Sequence, residues 1–206
     1  MLVAGLTGNY GMGKSYVLSV FRHLGAVTID CDRIVDILLN EKEVIESVNN
    51  LIGSNAVSKD NKVDKRKIAG IAFKNKKIRE KLEKLLHPLV LSKIDNFIDK
   101  IKDSRHVLVV EIPLLFEGNY QDRFDKTITV YTTRQKAVER LKKEGVSENE
   151  ALVRLRAQLP INVKKKLADY TIDNNRSKES TRKQVEKIYR NLIEEEAVII
   201  RGQHLS

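Results

Sequence analysis

The sequence predicts an α/β protein, a parallel β-sheet flanked by helices that carries a helical insertion and a shorter helical lid. Three observations lead there. The first thirty residues pass from an apolar run through a glycine-rich segment and a helical pattern to a second apolar run, the opening of a parallel sheet. Strand patterns return at residues 106–112, 127–132 and 170–173, with helical patterns between them. Residues 33–102, by contrast, carry only helical periodicity.

Leu2–Thr7 is the first strand, and Val17, Val20, Phe21 and Leu24 then fall on one helical face. Gly25 offers that helix a stop, and residues 26–29 form the second strand. In the insertion, Val44, Ile45, Val48, Leu51 and Ile52 share helical spacing. So do Ile78, Leu82, Leu85 and Leu86, and then Ile94, Phe97, Ile98 and Ile101. Pro88 should break or kink the path between the last two sets. The polar stretch 54–64 reads as a loop. Beyond the third strand, residues 135–143 and 147–159 read as two helices joined through Gly145. Val185, Ile188, Tyr189, Leu192 and Ile193 mark an amphipathic helix over 178–196, and residues 197–200 have strand character at the end. The expected division is a core of 1–32, 103–133 and 168–206, a helical substrate domain of 33–102, and a lid of 134–167.

With 206 residues, 41% hydrophobic and 32% charged, the chain has the makings of a packed core and is not a disordered chain. No window approaches the length of apolar sequence that spans a bilayer. The apolar start lacks a basic leader and reads as a strand. One cysteine, Cys31, allows no internal disulfide, and no Cys/His cluster has zinc spacing, so a reducing cytoplasm is the expected setting. A net charge of +10 favours anionic partners. Aromatics are only 5% and do not interleave with the basic residues, which argues against a single-strand nucleic-acid binder.

Gly8-Asn9-Tyr10-Gly11-Met12-Gly13-Lys14-Ser15 fits G-x-x-x-x-G-K-[ST], after a strand and before a helix. Glycines let backbone N–H groups turn inward around phosphate oxygens, and the helix directs its positive end at them. Lys14 would reach the β- and γ-phosphates, and the Ser15 hydroxyl would ligate Mg²⁺. The chain should therefore bind a nucleoside triphosphate.

Three acidic residues, on two strand ends, stand near this loop in the predicted topology. Asp30 and Asp32 close the second strand, at the carboxyl edge where open α/β sheets bind ligands. Asp32 suits a general base for a hydroxyl attacking the γ-phosphate, and equally suits an N-cap for the helical run that follows. Glu111, at the tip of the third strand, suits a magnesium-holding acid or a strand-end charge facing solvent. The basic residues between Arg134 and Lys166 suit a lid that neutralises phosphoryl charge, or a solvated helical face.

Taken in order, several segments resemble the dephospho-coenzyme A kinase family over nearly the whole chain. They are the phosphate loop, Ile29-Asp-Cys-Asp32, Leu85-Leu-His-Pro-Leu-Val90, Ile112-Pro-Leu-Leu-Phe-Glu117, Arg154-Leu-Arg-Ala-Gln-Leu-Pro160 and Ala168-Asp-Tyr-Thr-Ile-Asp-Asn-Asn175. The resemblance implies a P-loop kinase that transfers the γ-phosphate of ATP to the ribose 3′-hydroxyl of dephospho-CoA, with Mg²⁺. It implies Asp32 as the base, Arg140 as the lid arginine, and Arg154 and Gln158 on the helix after it. It places Asn174 and Asn175 near the adenine, and His87 and Leu115 with the acceptor, His87 serving equally well as a structural residue. Loop residues Gly8 to Tyr16 would all line the nucleotide site.

Asn9, Tyr10, Met12 and Tyr16 differ from the loop usual in that family, and Tyr16 replaces a threonine whose hydroxyl lies near the α-phosphate. Asp36 stands where the family commonly has a basic residue, which bears on acceptor affinity. Two other readings compete: a P-loop kinase of another small-molecule or nucleoside monophosphate acceptor, and a nucleotide-gated RNA-binding protein. Self-association is open, since no heptad run specifies it.

Overall fold

Strands β1 (Leu2–Thr7), β2 (Val27–Asp30), β3 (Val107–Glu111), β4 (Lys126–Tyr131) and β5 (Tyr170–Asp173) lie parallel in one sheet, in the order β2-β3-β1-β4-β5. These observations come from a computed structural model that describes residues 1–53, 63–102 and 106–203. All six residues of β1 and all five of β3 are buried, as expected for parallel strands covered on both faces. After β2 and β3 form on one side of β1, the chain crosses to lay β4 and β5 on the other. The carboxyl end of β1 is therefore the switch point where ligands of such sheets bind.

Helices α1 (Lys14–His23) and α9 (Lys178–Gln203) contribute Val17, Phe21, Val185, Ile188 and Leu192 to one hydrophobic core with Leu2, Ala4, Leu6, Val109, Ile128 and Val130. Phe21 is fully buried and meets Tyr189 edge to face, with ring centroids 6.3 Å apart. Burying such a side chain is worth about 1.5–3 kcal/mol. Residues 197–200 are not a strand but part of α9. The helical stripe of Val185, Ile188 and Leu192 runs on to buried Glu196, so tertiary packing overrides the local β-branched preference.

The chain divides into two compact units, Met1–Asp30 with Asp103–Ser206, and Cys31–Lys102. The first holds the sheet, α1, α9, and the helices α6 (Arg134–Lys143), α7 (Glu148–Arg156) and α8 (Ile161–Leu167). The second holds α2 (Cys31–Leu38), α3 (Lys42–Ile52), α4 (Lys65–Lys74) and α5 (Lys76–Ile101) around Leu39, Val44, Val48, Ile68 and Leu82. Asp64 caps α4 by accepting from the Lys67 N–H at 3.1 Å, and Asn75 caps α5 from Ile78 at 3.2 Å. Most of the expected loop 54–64 lies outside the described residues.

Pro88 does not break its helix: α5 runs unbroken from Lys76 to Ile101. A proline inside a helix costs about 3 kcal/mol, and burial of Leu82, Val90 and Ile94 on the two sides of it offsets that cost. The expected helix 147–159 ends at Arg156, and α8, which the pattern did not separate, begins after Pro160.

Candidate active site

The phosphate loop leaves the central strand at the switch point and returns as α1. Gly11 and Gly13 hold φ of 74° and 88°, the left-handed region that glycine alone enters freely. Space enforces the same choice at Gly13, where a Cβ would stand 2.2 Å from Asn174 Nδ2. Gly13 is also the N-cap of α1 and offers no side-chain acceptor, leaving the first-turn N–H groups to an outside anion.

Lys14 and Ser15 open that helix. Lys14 is buried, with Nζ 4.0 Å from Oε1 of Glu111, whereas Ser15 is exposed. Glu111 sits at the end of β3, in register with Leu6 of β1 on one side and Asp30 of β2 on the other. Sheet register thus puts Asp30 and Glu111 level at the carboxyl edge. Glu111 is 3% exposed, so the reading as a solvent-facing charge is corrected: it is a buried acid beside the loop lysine. Ser15, Glu111 and Asp30 supply only oxygen donors, the chemistry magnesium takes alongside substrate phosphates.

Arg140 and Asn174 hold the loop by its backbone. Arg140 Nη1 donates to the Met12 carbonyl at 3.3 Å and Nη2 to the Asn174 carbonyl at 3.0 Å. Asn174 Nδ2 donates to the same Met12 oxygen at 2.9 Å, while Thr181 Oγ1 donates to Asn174 Oδ1 at 3.0 Å. Asn175 accepts at Oδ1 from Thr132 Oγ1 and the Thr133 N–H, at 2.9 and 2.8 Å, and donates from Nδ2 to Asp173 at 2.6 Å. That side chain ties β5 to the start of α6.

The segment after α7 holds the loop from another side. Gln158 Oε1 accepts from the Tyr10 N–H at 2.8 Å, and Asn9 Nδ2 donates to the Leu159 carbonyl at 3.0 Å. The Arg154 guanidinium lies 4.6 Å from the Tyr10 ring centroid, donates to the Tyr10 hydroxyl, and meets Glu150 Oε1 at 2.5 Å. Arg154 is thus bound to the loop's own tyrosine, by its ring and by its hydroxyl. Tyr16 donates its hydroxyl to the Lys178 carbonyl at 3.0 Å, so that group is spent on the start of α9.

Of the remaining expected residues, Leu115 belongs to the sheet unit, and Asp32, Asp36 and His87 to the helical unit. Leu115 is fully buried, and its Cδ1 would be 2.5 Å from a Cβ on Gly5. It fills the core beneath β1 and offers a ligand no surface, which corrects its expected place with the acceptor. In the helical unit, Asp32 is the second residue of α2, inside the first turn and not ahead of it. An acid there favours the helix through its dipole but is not the N-cap. His87 lies in the middle of α5, and burial pushes its imidazole pKa down against the opposing pull of Glu83. Asp36 lies on α2.

Sequence reasoning missed Lys164, which is 0% exposed on α8. Its Nζ meets Glu117 Oε1 at 2.8 Å and donates to the Pro113 carbonyl at 3.1 Å. In a run of three lysines nothing in the pattern singles out the buried one; the preceding Pro160, which sets the start of α8, was the available signal.

Residues 2–180 match the dephospho-CoA kinase family. The chain belongs to that family. It is 36% identical over 189 residues to the dephospho-CoA kinase of Aquifex aeolicus, covering 91% of this chain and 96% of that one. A solved Thermus thermophilus structure superimposes with a TM-score of 0.77 at 29% identity, over 91% of this chain and 95% of the other. The dephospho-CoA kinase from Campylobacter jejuni gives 0.62 at 26%, over 92% and 96%. The parallel five-stranded sheet flanked by helices, with this phosphate loop after β1, is a P-loop kinase fold.

Proposed function

We propose that this protein transfers the γ-phosphate of ATP to the ribose 3′-hydroxyl of dephospho-CoA, giving coenzyme A and ADP, the last step of coenzyme A synthesis. The observation that carries the reading is the phosphate loop at the sheet's switch point, in a chain that matches the dephospho-CoA kinase family over residues 2–180. Fold alone would leave the acceptor open; the family match, not the fold, selects it.

ATP would lay its β- and γ-phosphates in the loop, against the α1 N–H groups and Lys14. Ser15 and Glu111 would hold Mg²⁺, which neutralises phosphate charge as the transferred group develops it. Asp32, two residues beyond the end of β2, takes the proton from the acceptor hydroxyl. Arg140 would stabilise charge on the transferred phosphoryl group, and Arg154 would contribute on leaving Tyr10. On the family resemblance, Asn175 would lie with the nucleotide base and His87 with the acceptor. The net charge of +10 suits two polyanionic substrates, and no helix among the described residues is long and apolar enough to cross a membrane. A cytoplasmic setting is part of the same reading.

Regiochemistry tests the proposal. Phosphorus NMR of the product should show a new monoester on the ribose 3′-oxygen of dephospho-CoA. A phosphate on any other oxygen would contradict it.

A further inference from the structure

Lys164 is a buried cation that the mechanism above does not use. Burial is the main influence holding its pKa below the usual lysine range; the Lys14 ammonium pushes the same way, and Glu117 opposes both. Its neighbours form a chain of bonds toward the phosphate loop. The Pro113 carbonyl that accepts from Lys164 also accepts from Thr7 Oγ1 at 3.2 Å, at the end of β1. Glu117 Oε1, besides meeting Lys164, accepts from the Leu159 N–H at 2.9 Å. The Leu159 carbonyl in turn holds Asn9, and neighbouring Gln158 holds the Tyr10 N–H. Glu117 Oε2 is buried with no hydrogen-bond partner among the described residues, so its charge depends on contacts through Oε1.

We propose that Lys164 and Glu117 are positioning residues for ATP: their ion pair fixes the Leu159 turn from which Asn9 and Tyr10 of the phosphate loop are held. The inference rests on the nucleotide reading of that loop and adds to it the residues that set its shape. Short polar links tie this part of the chain to the sheet: the Pro113 carbonyl, two residues past β3, accepts from both Lys164 and Thr7 of β1, and Thr129 within β4 donates its hydroxyl to the Lys164 carbonyl at 3.3 Å. A buried ion pair is weak as a source of stability, since an apolar pair of similar size often serves as well. What an apolar pair lacks is an acceptor for the Leu159 N–H. Stability and loop shape are therefore separable here.

The test is calorimetric titration of the full chain with Mg²⁺-ATP in the absence of an acceptor, with the melting temperature of each variant measured alongside. The double variant Lys164→Met/Glu117→Met should melt close to the parent yet bind ATP about tenfold more weakly, the loss of about one hydrogen bond's worth of loop order. Parent-like affinity in that folded double variant would overturn the proposal and leave the pair a packing feature. Glu117→Gln and Glu117→Leu supply a second comparison, since both remove the countercharge of Lys164. Glutamine keeps an acceptor for the Leu159 N–H, so it should bind ATP several-fold more tightly than leucine. Equal affinities in those two would also overturn it. Failure of the parent protein itself to bind ATP is a different result, and would overturn the nucleotide reading on which the inference stands.

Discussion

Arg140 holds the phosphate loop by its backbone, Nη1 donating to the Met12 carbonyl at 3.3 Å. Nη2 of the same guanidinium reaches the Asn174 carbonyl at 3.0 Å, so one planar fork joins α6, the loop and the segment after β5. Lysine has no such fork. Arg140→Lys should therefore weaken ATP binding by about tenfold while keeping the charge, and Arg140→Ala should also lower kcat. Titration with ATP and a kcat measurement check this. Unchanged values in both would show that these bonds serve the fold alone and not the nucleotide.

Gly13 admits no side chain. Alanine there would adopt a left-handed conformation costing about 1–2 kcal/mol, with its Cβ driven into Asn174. Gly13→Ala should thus lower the melting temperature modestly and abolish measurable ATP binding. Normal ATP affinity in a folded Gly13→Ala protein would show that the loop is not shaped as described.

Asp32→Asn separates chemistry from helix stability. Asparagine accepts hydrogen bonds but is no base at neutral pH, so kcat should fall by about 10²–10⁴-fold with ATP affinity intact. The first-turn carboxylate also favours α2 through the helix dipole, by about 0.3–1 kcal/mol at an exposed site. A small loss of stability with undiminished kcat would leave Asp32 with that role alone.

His87 predicts a pH dependence of stability. Burial depresses its folded-state pKa below the usual 6.5. Between the folded value and 6.5 the unfolded chain binds more protons than the folded one, so stability rises with pH through that window. It is complete above 6.5 and is lost as pH falls. Urea unfolding of the parent and of His87→Gln from about pH 5 to 7.5 should show a shallower slope in the variant. Parallel slopes would contradict the assignment.

The phosphate loop and the sheet were legible because both rest on local pattern. Glycines at 8, 11 and 13 before Lys14 specify backbone geometry within one segment, and the all-buried β1 and β3 need continuous apolar runs. Glu111 was readable as a strand-end acid, but its burial beside Lys14 depends on sheet order. Pro88 and residues 197–200 misled for a related reason: a local rule was outweighed by packing of the long helices α5 and α9. The contacts that hold the loop, Asn9 to Leu159 and Met12 to Arg140 and Asn174, span more than a hundred residues of chain. Leu115 shows the opposite limit, a motif residue whose burial against Gly5 only the fold reveals.

The most direct test of the central claim is coupled ADP release from purified protein with Mg²⁺-ATP and dephospho-CoA, run beside AMP, shikimate and no acceptor. Rapid release should appear with dephospho-CoA alone and should collapse in Lys14→Ala, where loss of phosphate stabilisation raises the barrier by roughly 3–4 kcal/mol. Release with AMP or shikimate in preference to dephospho-CoA would contradict the proposed acceptor. ATP binding with no release for any acceptor would contradict the kinase reading itself.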